Sequence, residues 1–338
     1  MRKFVMQVKL GQKNTSGQKA KEDITKILSD DGYKVLGMNV SQNKFIKLIT
    51  IPYKVNRGLK EVEKNDIVVV QYPMYSRLLI KNVIKRCKKR GAKVIGIIHD
   101  VESLRFLKGE KRKSIDELNI FNSCDCLVSH NENMTGWLRL EGVKTKIVSL
   151  EIFDYLTREK EVSAGLKKDL VFAGNLSKSS FLEKWYLDEK IKVFGINPGN
   201  YSKSIKYMGV KTPNELPKYL DGSFGLVWDG NSMSTNAGVY GEYTKYNNPH
   251  KVSLYLSSGL PVIVWKQAAI AKFVQENRIG LVVESLYELP KVLGTLSDAN
   301  YEVIKDNVHN LSVKFKCGYF TKRAVKSAIE AINGKKNL

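Results

Sequence analysis

Residues 245–253 read Lys-Tyr-Asn-Asn-Pro-His-Lys-Val-Ser and run directly into an apolar stretch. Asn248 suits an N-cap and Pro249 the first helical position, so His250, Lys251, Val252 and Ser253 are expected in the first turn of a helix. A lysine there opposes the helix dipole unless an anion binds, which points to a phosphate site rather than a solvated helix end. Glu242, Tyr243 and Tyr246 lie just upstream and crowd the helix entrance, and Asp229 follows the apolar run 224–228. Residues 171–178, Val-Phe-Ala-Gly-Asn-Leu-Ser-Lys, read as a strand, a Gly-Asn turn and a cation. Such a turn offers N–H groups from Asn175 onward, and Lys178 a charge, both suited to a diphosphate. A plain strand-to-helix turn is the competing reading.

A third constellation is His99-Asp100, at the end of the buried run Val-Ile-Gly-Ile-Ile. A carboxylate at that edge can act as a general base, with the N-cap of the next segment as the alternative. Residues 10–18 form a small polar loop that contains Gly17 and opens a helix. It lacks the Lys-Ser/Thr ending of a P-loop and the spacing of the dinucleotide fingerprint. Cys87, Cys124, Cys126 and Cys317 contain no CxxC pair, and His130 alone does not complete a zinc set. They read as ordinary thiols of a reducing compartment.

Short apolar runs alternating with amphipathic stretches position these residues, the pattern of a parallel α/β fold. Strands are expected at 4–8, 33–38, 66–71, 93–99, 126–130 and 145–149, with helices at 18–29 and 76–90. After a polar stretch at 155–168, strands follow at 170–172, 191–194, 205–208, 224–228, 261–265 and 280–283. Helices are expected there at 178–187, 212–219, 250–258, 267–277, 286–293, 298–315 and 319–333. Functional loops in such folds lie beyond the carboxyl ends of the strands.

The 338 residues carry 56 Lys and Arg against 34 Asp and Glu, a net charge of +22, and are 43% hydrophobic. That length and apolar content fill two cores and exclude disorder for most of the chain. No apolar run is long enough to cross a bilayer, and 1–8 is too short and interrupted for a signal peptide. The charge raises nucleic-acid binding as a rival function, but no helix-turn-helix, RNP or zinc-finger pattern accompanies it.

Taken together, residues 97–101, 172–175, 222–228, 245–264 and 318–323 resemble bacterial glycosyltransferases of the GT-B architecture. The similarity is to the group containing polysaccharide galactofuranosyltransferases and the glucosyltransferase that extends N-acetylglucosamine on serine-rich adhesins. The resemblance implies two Rossmann-like domains facing across a cleft: an acceptor domain at 1–154, to which a helix at 318–338 crosses back, and a nucleotide-sugar domain at 165–317. By motif position, Lys178, His250, Lys251, Val252 and Ser253 would contact uridine diphosphate, with Gly17 reaching it across the cleft, and Asp229, Glu242, Tyr243 and Tyr246 are the candidates for holding the sugar hydroxyls. The family's basic residue after the Gly-Asn turn is often Arg; here Lys178 offers a point charge instead of a bidentate clamp.

The mechanism implied is inverting transfer with Asp100 as base and no tightly bound metal or other cofactor, in keeping with the lack of an Asp-x-Asp motif. The donor expected is UDP-galactofuranose. UDP-glucose or UDP-galactose, used on an N-acetylglucosamine-bearing glycoprotein or glycolipid, is the alternative. The acceptor expected is a saccharide, carried on a polyprenyl diphosphate in the lipid-linked version. Basic clusters at 81–93 and 105–113 then suggest a cytoplasmic protein held peripherally on an anionic membrane surface. A homo-oligomer and a non-catalytic partner subunit are both compatible with the sequence.

Overall fold

The computed structural model describes residues 1–9, 16–39, 43–106, 110–161 and 165–334. The chain forms two compact units, Met1–Leu150 with Gly318–Leu338, and Glu151–Cys317. In the first, β1 (Lys3–Lys9), α1 (Ser16–Asp30), β2 (Lys34–Asn39), α2 (Lys44–Gly58), β3 (Ile67–Tyr72) and α3 (Arg77–Lys89) come first. They are followed by β4 (Lys93–Ile98), the short α4 (Glu102–Arg105), α5 (Lys111–Asn122), β5 (Cys126–Ser129), α6 (Glu132–Leu140) and β6 (Lys146–Ser149). The sheet is parallel in the order β2-β1-β3-β4-β5-β6, so the chain reverses direction between β1 and β3.

In the second unit, β7 (Leu170–Ala173), β8 (Ile191–Phe194), β9 (Ile205–Tyr207) and β10 (Phe224–Val227) precede α7 (Gly238–Tyr243) and α8 (His250–Ser257). Then come β11 (Val262–Trp265), α9 (Ala271–Asn277), β12 (Gly280–Val283), α10 (Leu289–Thr295) and α11 (Asp298–Lys316). Its order, β12-β11-β10-β7-β8-β9, is the 3-2-1-4-5-6 order of the dinucleotide-binding fold, with the reversal between β7 and β10. Central strands such as β3, β5, β7, β10 and β11 are buried along their whole length, as a sheet covered on both faces requires.

The last helix, α12 (Tyr319–Ile332), belongs to the first unit. Phe320, Ala324, Val325 and Ala328 are buried on one side of it, against β5, β6 and α1. Its entry is possible because Gly318 has φ +73° and a Cβ there would stand 2.5 Å from Ile27 Cγ2. Residues 151–154, expected with the first unit, group with the second. The reason is packing: Phe153 stacks on His250 at 4.7 Å, and Asn248 Nδ2 donates to Glu151 O at 2.6 Å.

All twelve expected strands are present. Two expected helices are not: 178–187 holds 3-10 turns at Leu176–Lys178 and Ser180–Lys184, and 212–219 holds one at Leu216–Tyr219. In the former, Phe181, Leu182 and Trp185 are all buried, so side-chain anchoring replaces helical periodicity. The expected start of 267–277 is shortened to α9, and helices α2, α4, α5, α6 and α7 lie outside the expected ranges.

Candidate functional site

In the second unit the chemistry gathers at the reversal between β7 and β10. Lys251, the second residue of α8, donates from Nζ to Trp228 O at 3.1 Å and pairs with Asp229 Oδ1 at 2.9 Å. The ammonium also lies 4.4 Å from the centre of the Phe172 ring, and a Cβ at Gly174 would come within 3.9 Å of it. Gly230 N–H donates to Lys178 O at 2.8 Å and Phe181 N–H to Gly230 O at 3.1 Å, so the loops after β7 and β10 are tied together. Lys178 Nζ sits 4.7 Å over the Tyr240 ring, a stacking that steers a flexible cation.

Asn175 Oδ1 accepts from Ser177 N–H at 3.3 Å and from Asn197 Nδ2 at 3.1 Å, so its side chain shapes the turn. The height of α8 is set by Tyr255, whose ring lies so close to Gly225 that a Cβ there would stand 2.3 Å from it. The Tyr255 hydroxyl accepts from Ala173 N–H at 2.8 Å, linking α8 to the end of β7. Burial raises this phenol far above its usual range, so it stays neutral.

Helix α8 begins one residue later than expected. Pro249 is the N-cap and, having no polar side chain, makes no side-chain cap, while Asn248, expected in that position, donates from Nδ2 to Glu151 O. His250, Lys251 and Ser253 do occupy the first turn, which carries no acid. The Ser253 hydroxyl is buried and has no hydrogen-bond partner among the described residues. Val252 is packed in the core and its N–H donates to Pro249 O at 3.0 Å. The anion that Lys251 was expected to need is supplied in part by Asp229, so the two residues, assigned separate tasks by the sequence, form one pair. Of the other sugar candidates, Glu242 pairs with Lys245 at 2.7 Å, Tyr243 is buried, and Tyr246 is half-buried.

In the first unit, His99 and Asp100 leave the carboxyl end of β4. His99 Nε2 lies 2.8 Å from Gln71 Oε1. The Gln71 amide is oriented by donating to Lys21 O and Thr25 Oγ1, each at 3.1 Å, so its oxygen faces the ring and accepts from His99 Nε2–H. Asp100 pairs with Arg105 at 2.9 Å and remains partly open to solvent. The N-cap alternative for Asp100 does not occur: Val101 is the N-cap of α4. The buried Glu117 carboxylate from α5 accepts Glu102 N–H at 2.8 Å and Ser103 N–H at 2.7 Å, so the cap is provided from elsewhere.

A cavity of about 160 Å³ opens at the reversal between β1 and β3, with Gln18, Lys21, Glu22, Gln71 and Tyr75 among its lining residues. Lys21 Nζ donates to Pro73 O and lies 4.1 Å from the centre of the Tyr75 ring. Desolvation pushes this ammonium down to about 8, opposed by Asp100 and Glu102. None of the five was singled out from sequence. The available signal was Gln71, a polar residue near the end of the otherwise apolar Ile-Val-Val-Val-Gln-Tyr strand.

Gly17 lies exposed in the first turn of α1 with nothing within 4 Å of a Cβ, while 10–15 fall outside the described residues. Cys87, Cys124 and Cys126 are buried thiols whose pKa burial pushes up to about 12, 12 and 11. His130 is buried beside Ile98 O and is pushed down to about 4 by that burial. No helix among the described residues is long and apolar enough to cross a membrane.

Comparison with known proteins identifies the family and the fold. The Glucosyltransferase 3-like N-terminal domain matches residues 2–152 and the Glucosyltransferase 3-like C-terminal domain residues 170–328. The β-1,6-galactofuranosyltransferase WbbI of Escherichia coli (strain K12) is 32% identical over 326 residues, covering 93% of this chain and 94% of the relative. Glucosyltransferase 3 of Streptococcus gordonii is 26% identical over 314 residues, 92% of this chain and 93% of the relative. Among solved structures, an α-glucosyltransferase in complex with UDP superposes with a TM-score of 0.62 at 10% identity, covering 98% of this chain and 100% of that one. The apo structure of OtsA gives 0.60 at 10% identity, with both chains covered completely. At such identities the structural likeness speaks for the fold, and the family follows from the sequence matches: the chain belongs to the Glucosyltransferase 3-like family and is a glycosyltransferase of GT-B architecture, with two Rossmann-like domains.

Proposed function

We propose that this glycosyltransferase moves a hexose, galactofuranose as first choice, from a UDP-sugar to a saccharide acceptor with inversion at the anomeric carbon. The observation that carries the reading is the convergence, where β7 and β10 end, of Lys251, Lys178, the Gly174 turn and the first turn of α8. Two ammonium groups and a helix N-terminus match a leaving diphosphate, and the buried Ser253 hydroxyl supplies a further polar contact. The charge these groups provide makes a resident metal unnecessary for departure of the diphosphate; turnover unchanged by a chelator is the expected result.

In this reading Asp100 takes the proton of the acceptor hydroxyl as the oxygen attacks the anomeric carbon. The bond to the diphosphate breaks on the opposite face, and UDP leaves with the electron pair. Arg105 holds the carboxylate in place, and His99, fixed by Gln71, stands next to it in the chain. Asp229, shared with Lys251, is the best-placed of the sugar candidates, because it sits at the same strand ends as the diphosphate groups. The 160 Å³ cavity with the Tyr75 ring, two glutamines, Glu22 and Lys21 suits a saccharide, which stacks on an aromatic face and bonds through its hydroxyls.

Galactofuranose is preferred because the relative at 32% identity is named for that transfer and for a β linkage. Single displacement on an α-linked nucleotide sugar produces that configuration. The second reading, UDP-glucose or UDP-galactose onto an N-acetylglucosamine-bearing acceptor, is favoured by the family name and by the glucosyltransferase relatives. Offering each UDP-sugar to the purified protein and following UDP release decides between them. Turnover with UDP-galactofuranose supports the first; turnover with UDP-glucose alone replaces it with the second.

A further inference from the structure

Helix α2 turns large apolar side chains to water. Phe45 is 80% exposed, Ile49 78%, Tyr53 67% and Ile46 48%. Positions 45, 49 and 53 are four apart and form one stripe, with 46 beside it, while Ile51 and Val55 on the opposite side are buried. The helix is anchored without that stripe: Asn43 caps it through Phe45 N–H and Ile46 N–H, and Lys54 Nζ donates to Asn39 O at 2.9 Å. Single exposed apolar residues are ordinary, but four adjoining on one helix mark an interaction surface.

The charge around the stripe selects the partner. Between Asp31 and Glu61 the chain carries Lys34, Lys44, Lys47, Lys54, Arg57 and Lys60 and no acid, and of these Lys34 is paired with Glu61. Helix α3 packs beside α2 and adds the exposed Lys85, Lys88 and Lys89. Four of the other basic residues in the clusters 81–93 and 105–113 are paired with acids within the unit: Lys81 with Asp116, Lys93 with Asp125, Arg105 with Asp100 and Lys113 with Glu110. A second copy of this face would set like charges against each other. A nucleic acid would meet the lysines but leave Ile46 and Ile49 without a counterpart. Aromatic and aliphatic side chains flanked by lysines fit a helix lying in the headgroup plane of a bilayer.

We propose that α2, with the lysines of α3, docks the first unit on an anionic bilayer, Phe45, Ile46, Ile49 and Tyr53 entering the headgroup region. The inference stands apart from the donor reading, which concerns the second unit. It is tested by co-flotation of the full chain with phosphatidylcholine vesicles, with and without about 30% phosphatidylglycerol. Binding is expected only to the anionic vesicles and to weaken with salt. The F45S/I49S/Y53S variant and, separately, K85E/K88E/K89E should each bind at least roughly tenfold more weakly. Stabilisation against heat by UDP serves as the folding control and should be unchanged in both. Wild-type chain that stays off anionic vesicles at low salt, or an F45S/I49S/Y53S variant that binds as wild type does, overturns the proposal. Loss of a wild-type dimer in the same variant would assign the stripe to self-association instead.

Discussion

Lys251 shows how a residue's role depends on the company it keeps. In the first turn of α8 it opposes the dipole, and Asp229 at 2.9 Å offsets that cost in the free protein. A bound diphosphate would share the ammonium. Lys251→Ala is expected to lower kcat/KM for the donor by about 10- to 100-fold, measured by UDP release under steady-state conditions. Because Asp229 is then left without its cation, the single variant should also lose stability. Adding Asp229→Ala should recover stability without recovering activity, which separates the two effects. Asp100→Asn should lower kcat by at least about 100-fold while leaving thermal stabilisation by UDP as it is in wild type. An active variant would confine Asp100 to its ion pair with Arg105. The residue types at both sites were legible in the sequence because strand ends and helix starts have local signatures. The partnership of Lys251 with Asp229, and of Gln71 with His99, was not, because each joins different elements separated by more than twenty residues of chain.

At the scale of elements, one acid ties the segment after the first unit to α11. Burial raises the Glu161 pKa, but hydrogen bonds from Lys316 at 2.7 Å, Ser312 at 2.5 Å and His309 at 2.8 Å outweigh it and bring the carboxyl down to about 2. Since the folded value lies below the unfolded one, this stabilisation is fully present above about pH 4.5 and is lost as the pH falls through about 2. Thermal melts of Glu161→Gln should therefore lie roughly a few degrees below wild type at pH 6, with the gap closing toward pH 2. Helix α2 illustrates what periodicity misses: Pro52 and β-branched Ile46, Ile49, Thr50 and Ile51 argue locally against a helix, and an apolar outer stripe hides the amphipathic pattern. The expected helix at 178–187 fails for the opposite reason, since three buried anchors hold the segment in 3-10 turns.

For the whole molecule, each unit has a candidate feature where its sheet reverses, the cavity between β1 and β3 and the lysine pair between β7 and β10, while His99 and Asp100 leave the end of β4. The first unit is also discontinuous, because α12 returns to it after the entire second unit. Burial of Phe320, Ala324, Val325 and Ala328 is worth on the order of 5 kcal/mol, comparable with the net stability of a domain. A chain ending at Cys317 should thus show a calorimetric transition of the first unit at clearly lower temperature, while UDP still raises the transition of the second. A single unshifted transition would mean that α12 contributes little.

The α/β class, the twelve strands, the family and the first turn of α8 were legible in the amino-acid order, because buried strands, helix starts and turns are written in residues near one another. Which of these residues meet emerged with the three-dimensional fold. Sheet order brings β10 beside β7 and β3 beside β1 across long stretches of chain, and that order rests on packing of buried faces, which no local pattern encodes.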